Sequence, residues 1–214
     1  MNNVKSFIWI GGTIVVLIAL MFWGAKQTVE FKPPFELGVV HPLDNVTGNA
    51  SSSVIMIEYS DFECPACRSY SSVVKQLLVE FGDKIVFVYR NFPLTEIHPN
   101  AELAARAAQA AGKQGKFWEM HDLLFEKQDE WAQAVNPEPM FESYSKLLGI
   151  SVDQFKIDSG SKEIISFVRA QRASALKLSL QGTPTFFING KQIQNPSSVD
   201  AFRLLIKTAI NRKP

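Results

Sequence analysis

The hydrophobic pattern divides the chain into an apolar head, two β-rich blocks and a long helical stretch between the blocks. The head, Phe7–Trp23, reads FIWIGGTIVVLIALMFW, 17 residues without a charge. As a helix rising about 1.5 Å per residue it reaches roughly 25 Å, the short end of what crosses a bilayer. Trp9 and Trp23 stand near its ends, where amphipathic rings favour the interface. A cleaved signal peptide needs small residues one and three positions before the cut. Trp23 or Phe22 occupies the upstream position here, so an uncleaved signal anchor is expected. A tether rich in Pro, Gly, Ser and Asn follows over 26–49, becoming a loop or short edge strands near Glu36–Val40.

Val54–Ser60 (VIMIEYS) is an apolar, β-branched run that predicts a buried strand. Apolar residues then recur at Val73, Val74, Leu77, Leu78 and Phe81 with a helical period that Gly82 ends. KIVFVYRNF predicts a second buried strand, giving a βαβ unit. From about Pro99 to Leu178 the pattern is helical, with Ala101, Ala104, Ala105 and Ala108 on one close-packing face. These helices are read as scaffold without chemistry. TFFING and KQIQ return to β, with Asn189-Gly190 a two-residue hairpin signal. Ser197 and Ser198 are placed to cap a last helix through Phe202, Leu205 and Ile206.

Charge is nearly balanced, 22 Lys plus Arg against 21 Asp plus Glu, so neither a nucleic-acid partner nor an acidic tail is indicated. Asn45-Val-Thr47 and Asn49-Ala-Ser51 match the glycosylation acceptor pattern, with nothing else to indicate a host that glycosylates. The chain has two cysteines, Cys64 and Cys67, and three scattered histidines. That is too few cysteines for a disulfide scaffold and the wrong spacing for a structural zinc site. No metal and no cofactor is expected beyond a redox-active Cys64–Cys67 disulfide.

In DFECPACRSY the pair sits in the turn between a buried strand and an amphipathic helix, the setting of a redox CxxC. A thiolate is the reactive species, with an ordinary pKa of about 8.5. Free N–H groups and the positive dipole end at the helix start favour an anion at Cys64. Pro65 suits the first helical position, where its missing N–H is unneeded. Cys67 comes round one turn later. Cys64 is therefore read as the attacking thiol and Cys67 as the resolving one. Asp61 and Glu63 are read as loop residues whose charge opposes thiolate formation. Two inert buried thiols are the alternative.

Three blocks, DNVTGN…VIMIEYSDFECPAC, YRNFPL…HPNAELAARAAQAAGKQGKFWEMHDLLF and GTPTFFING, together resemble the DsbA-like branch of the thioredoxin superfamily. The resemblance implies an α/β fold, a thioredoxin fold with an inserted helical domain, here preceded by the transmembrane helix. The divisions expected are 1–25 anchor, 26–49 linker or edge segment, 50–95 and 178–214 thioredoxin-like domain, and 96–177 inserted helical domain. It implies that Pro184 is the cis-proline facing the cysteines and that Thr183 offers backbone groups to an extended substrate. It also implies that Glu58, six residues before Cys64, is a buried acid beneath the pair. Glu58 then either exchanges a proton with Cys67 or serves as a satisfied structural carboxylate.

The activity implied is thiol–disulfide exchange by a single-pass cell-membrane protein whose catalytic domain faces the extracytoplasmic side. Disulfide donation to exported cysteine-containing proteins ranks first, with a membrane quinone-linked thiol oxidase as reoxidant. A tethered reductase ranks next, then an isomerase, then a non-catalytic peptide-binding module. Only about 30 residues separate anchor and first strand, short of a dimerisation domain, so a monomer is expected. Ala66 departs from relatives with His or an aromatic residue before the second cysteine and gives no charge-assisted hydrogen bond. An oxidant of intermediate strength follows.

Overall fold

The computed structural model describes residues 35–212, and the apolar run Phe7–Trp23 lies outside them. Among the described residues no helix is long and apolar enough to cross a membrane. Five strands, β1 (Asn45–Gly48), β2 (Ile55–Ser60), β3 (Val86–Asn91), β4 (Thr185–Ile188) and β5 (Lys191–Ile193), form one sheet in the order β1-β3-β2-β4-β5. β2 and β3 are parallel, joined by α1 (Pro65–Phe81), and the other pairings are antiparallel. Between β3 and β4 run α2 (Ala101–Lys113), α3 (Phe117–Glu126), α4 (Gln128–Trp131), α5 (Glu138–Leu147), α6 (Val152–Ser159) and α7 (Lys162–Lys177). α8 (Val199–Asn211) closes the chain, capped by the Ser198 hydroxyl, which accepts from the Ala201 N–H.

Side chains alternate across a strand, so each central strand feeds two cores. Met56, Phe87 and Tyr89 face one core with Cys67 and Leu77 of α1 and Phe202 of α8. Ile57, Tyr59 and Val88 face the other, where α7 contributes Ala175. Helices on both faces explain why β2 and β3 read as continuous apolar runs. The alanine face of α2 is buried, as its small side chains predict. Asn189 (φ +47°) and Gly190 (φ +78°) both take the left-handed conformation that a tight two-residue hairpin turn needs.

Of the two readings of Glu36–Val40 the loop holds, and the edge strand β1 lies at Asn45–Gly48, within the stretch read as linker or edge segment. Four residues rich in Asn and Gly carry no apolar signature. The strand exists because its backbone pairs with β3 from Asn45↔Tyr89 to Gly48↔Val86. The Asn45 side-chain nitrogen is buried, which closes the first glycosylation triplet to a glycan.

Arg90, 0% exposed in the middle of the buried strand β3, is the residue the apolar reading passes over. Its guanidinium donates to both Asp44 carboxylate oxygens (3.0 and 2.8 Å) and to the carbonyls of Glu36 (2.9 Å) and Val39 (3.0 Å). Phe35 and Tyr59 stack against it at 5.4 and 5.7 Å. One buried cation thus ties the 35–44 loop to the sheet. Removing one member of a buried, hydrogen-bonded pair leaves the other charge uncompensated. Asp44→Ala is expected to lower the unfolding free energy by about 3–5 kcal/mol, read as a shift in the urea midpoint without a change in slope. A loss below about 1 kcal/mol, the size of a surface pair, would refute this role.

Candidate active site

β2 delivers Glu58 and Ser60 to the buried face beneath α1 and then breaks into the turn Asp61–Cys64. Cys64 is the N-cap of α1, with extended backbone (φ −74°, ψ 122°), and Pro65 opens the helix. The sulfur therefore sits among the unpaired N–H groups of the first turn. Cys64 is 7% exposed and Cys67 is fully buried, both as free thiols. The Cys64 thiol points to the Thr183 carbonyl at 3.5 Å, and the Asp61 N–H points to the Cys67 sulfur at 3.5 Å.

The two thiols are pulled apart electrically. The hydrogen bond from Cys67 is foremost in lowering Cys64 from 9.0 to about 5; burial opposes it, while Thr183 and the N–H groups of Cys67 and Ala66 assist. Burial pushes Cys67 well above the ordinary range, and the neighbouring Cys64 and Glu58 charges add to it. The Thr183 hydroxyl is itself buried without a hydrogen-bond partner, a donor at hand when the Cys64 thiol becomes an acceptor.

Thr183-Pro184 is a cis peptide. The Asn195 side-chain amide donates to the Pro184 carbonyl (2.7 Å), and the Thr185 hydroxyl to Gly182 (2.7 Å), so the loop is held from both sides. A shallow polar hollow beside it is lined by Gln181, Thr183, Gln192 and Asn195. The structure brings Cys64, Cys67, Thr183, Pro184 and Glu58 into one region.

Glu58 is 2% exposed. Burial drives its pKa up to about 8, the Ser60 hydroxyl pulling back and the Cys64 charge adding. Ser60 and Tyr89 also bury hydroxyls on this face. At neutral pH burial thus keeps Glu58 largely protonated, close enough to Cys67 for its charge to be felt there.

Asp61 and Glu63 lie in the loop, as read from sequence. Both are buried and work as acceptors that shape the turn. Asp61 accepts from the N–H groups of Glu63 and Leu94 and from His98, each at 2.8 Å; Glu63 accepts from the Asn100 N–H at 2.7 Å. The inserted helices are not free of a part in the site. Gln128 of α4 donates to the carbonyls of Phe62 (2.7 Å) and Cys64 (3.1 Å), clamping the turn from above. His98 and Asn100 lie in the second of the family-like blocks and Gln128 lies beyond it, but nothing in the sequence pairs any of them with the cysteine turn. The one available signal is HPN, polar residues at the mouth of a helix close after the second strand. Among the described residues no group of three or more His, Cys, Asp or Glu side chains is arranged to hold a metal.

A mixed sheet with a CxxC at the start of its crossover helix and a cis-proline opposite defines a thioredoxin-type redox fold. The family model described as Thioredoxin matches residues 41–208, and the chain belongs to that family. Its solved neighbours are DsbA- and BdbD-type proteins. BdbD from Bacillus subtilis is 25% identical with a TM-score of 0.70, covering 78% of this chain and 92% of its own. A thioredoxin-like oxidoreductase from Silicibacter pomeroyi DSS-3 is 25% identical with a TM-score of 0.67, over 80% and 95%. Alpha-DsbA1 from Wolbachia pipientis shares the fold at a TM-score of 0.73, over 81% and 94%, with 20% identity. A curated relative named Na(+)/H(+) antiporter NhaA 3, from Salinispora tropica, is 37% identical over 166 residues, which is 78% of this chain and 24% of the relative. The chain thus spans about a quarter of that relative's length.

Two measurements test the electrostatics. In the reduced protein an ultraviolet thiolate signal is expected with a midpoint near 5, absent from Cys64→Ser, while Cys67 stays closed to alkylation at neutral pH. A midpoint in the ordinary thiol range would contradict the site as described. For Glu58 the folded value lies above the unfolded one, 4.5, so the native state retains a proton that the unfolded chain releases. Stability is therefore lost as pH rises from 4.5 towards about 8. In the disulfide form, where the thiols do not titrate, Glu58→Gln should match the parent in acid. At pH 8 it should exceed the parent by about 2–4 kcal/mol in denaturant unfolding. Parallel pH profiles for parent and variant would show that burial does not hold the proton.

Proposed function

We propose that this chain exchanges disulfides with protein thiols through Cys64 and Cys67, acting chiefly as a disulfide donor to exported proteins. The observation that carries this reading is the opposite tuning of the two sulfurs, one held near 5 at the helix start and the other pushed up in the core. A stabilised thiolate favours the reduced form and so makes the disulfide a stronger oxidant. Thiolates of thioredoxin and DsbA lie at about 7 and about 3.5, with potentials of about −270 and about −120 mV. Cys64 falls between them, which supports an oxidant of intermediate strength. The Cys64–Cys67 disulfide is the redox centre, and no other cofactor enters the chemistry.

In the forward direction a client thiolate attacks the Cys64 sulfur of the disulfide, and Cys67 leaves with the electron pair. A second client thiolate then attacks the client sulfur of the mixed disulfide and expels the Cys64 thiolate. Two electrons pass from client to enzyme, and the client gains one disulfide. Cys67, with its raised pKa, takes up a proton, for which Glu58 is the nearby acid. Thr183 and cis-Pro184 present the loop edge along which an extended client lies.

The anchor Phe7–Trp23 would hold the domain, as a monomer, at the extracytoplasmic side of the cell membrane. A membrane quinone-linked thiol oxidase would restore the disulfide. Ion antiport is the reading that the curated relatives' names raise. The stretch they match falls largely within the thioredoxin-family region, and it is this region that bears the cysteine pair.

Alkylation of thiols in intact cells decides the direction: a predominantly oxidised Cys64–Cys67 pair is expected, and a predominantly reduced pair would overturn donation in favour of reduction. Cys67→Ala should accumulate mixed disulfides with exported proteins, while Cys64→Ser should lose turnover. A Cys64→Ser protein that still performs its function would reveal a binding module instead.

A further inference from the structure

The turn that holds the cysteines is built on Asp61, and Asp61 touches both. Its N–H points to the Cys67 sulfur at 3.5 Å, and its carbonyl accepts the Cys64 N–H at 3.2 Å. Its carboxylate is 1% exposed, a buried negative charge at the root of a site that must form a thiolate. Left alone it would oppose that thiolate. It is not left alone. Besides the N–H groups of Glu63 and Leu94, it is in ion-pair contact with the His98 ring, Nδ1 to Oδ2 at 2.8 Å. The His98 side chain is 16% exposed, open enough to exchange its proton with solvent and buried enough for its charge to be felt.

We propose that His98 is a positioning residue for the redox pair: its imidazolium offsets the buried Asp61 carboxylate, sustains the Cys64 thiolate, and makes the oxidising strength fall when His98 loses its proton. This rests on reading Cys64 and Cys67 as an exchange pair. It gives the site, from a loop 34 residues away, the cation that Ala66 does not supply inside the CPAC motif. The charged groups that face His98 are Asp61, Cys64 and Glu63, and all three favour its protonated form. The hydrogen bond to Asp61 is foremost in raising its pKa above 6.5. Glu63 is anchored on the Asn100 N–H, two residues beyond His98, so one short segment holds both carboxylates of the turn. The sign follows. Below its raised pKa His98 is charged, the Asp61–His98 pair is nearly neutral, and the thiolate is favoured. As pH rises through that value Asp61 stands uncompensated beside the sulfurs, the reduced form loses stability, and the disulfide becomes a weaker oxidant.

The first test leaves the protein unaltered. The titration of the histidine rings is followed by NMR in the reduced and disulfide forms, with His41, which packs on Phe35, as an internal reference. The His98 midpoint should be higher in the reduced form by about 0.5–1 pH unit, because thiolate and imidazolium stabilise each other reciprocally. Identical His98 midpoints in the two forms would overturn the proposal. His98→Gln should then lower the Cys64 thiolate-to-thiol ratio about three- to tenfold, which is about 15–30 mV of oxidising strength at about 29.6 mV per tenfold. The double variant Asp61→Asn/His98→Gln should recover most of it. A folded His98→Gln protein with the parental thiolate titration, or a double variant without recovery, would refute the link through Asp61. These readouts do not require turnover. A chain that fails to oxidise protein clients while its His98 midpoint follows the redox state would sink the proposed function and leave the positioning role standing.

Discussion

Three carboxyl groups, Glu58, Asp61 and Glu63, are buried within six residues of a thiol that works only when ionised. That crowding is the constraint around which the site is organised. Each negative charge near Cys64 weakens its thiolate, and the low-dielectric interior amplifies the effect. The structure answers each acid differently. Glu58 keeps its proton, because burial leaves ionisation too unfavourable near neutrality. Asp61 accepts from two backbone N–H groups and meets the His98 ring. Glu63 rests on the Asn100 N–H. Cys64 is left as the anion best served by the helix start, with the Cys67 thiol donating to it.

These solutions draw on parts of the chain far apart in sequence, which gives the helical insertion a role beyond bulk. β2 and β3 set the floor of the site, and α1 sets the position of the sulfurs. The insertion then covers the turn: Gln128 takes up the carbonyls of Phe62 and Cys64, while the segment leading into α2 supplies His98 and Asn100. In a turn so pinned Pro65 and Ala66 are exposed, Thr183 is half-buried, and Cys64 and Pro184 are buried. At the opposite edge Arg90 makes a comparable bargain, a buried guanidinium accepted inside a strand because Asp44 and two carbonyls surround it.

What the chain discloses in one dimension is whatever repeats or sits next to itself. The runs around Ile57 and Val88, the helical period from Val73 to Phe81 and the hairpin at Asn189-Gly190 are local patterns, and the fold follows them. CPAC stands out by its spacing and placement, GTPT only through the family resemblance, and Glu58 by its anomaly in an apolar strand. β1 has no such mark, since backbone pairing with β3 creates it. Asp61 and Glu63 read as loop acids, and the sequence does not show that the segment around residues 94–100 supplies their donors. Arg90 and Asp44 lie 46 positions apart, and His98 and Asp61 lie 37 apart. No periodicity links such pairs, so only the folded chain reveals them.

The dipeptide inside the motif is therefore an incomplete guide to its redox strength. Ala66 offers a backbone N–H and nothing charged, and by itself it would place the thiolate on helix geometry alone. The Cys64 thiolate draws on groups outside that dipeptide as well: the Cys67 thiol donor and the Thr183 side chain. Because each of these stabilises the reduced form, each strengthens the disulfide as an oxidant. The same arrangement gives the departing Cys67 a raised proton affinity and a protonated acid nearby. A favoured anion at Cys64 and a raised proton affinity at Cys67 are two sides of one asymmetry: the Cys67 hydrogen bond lowers the first against the effect of burial, and burial raises the second.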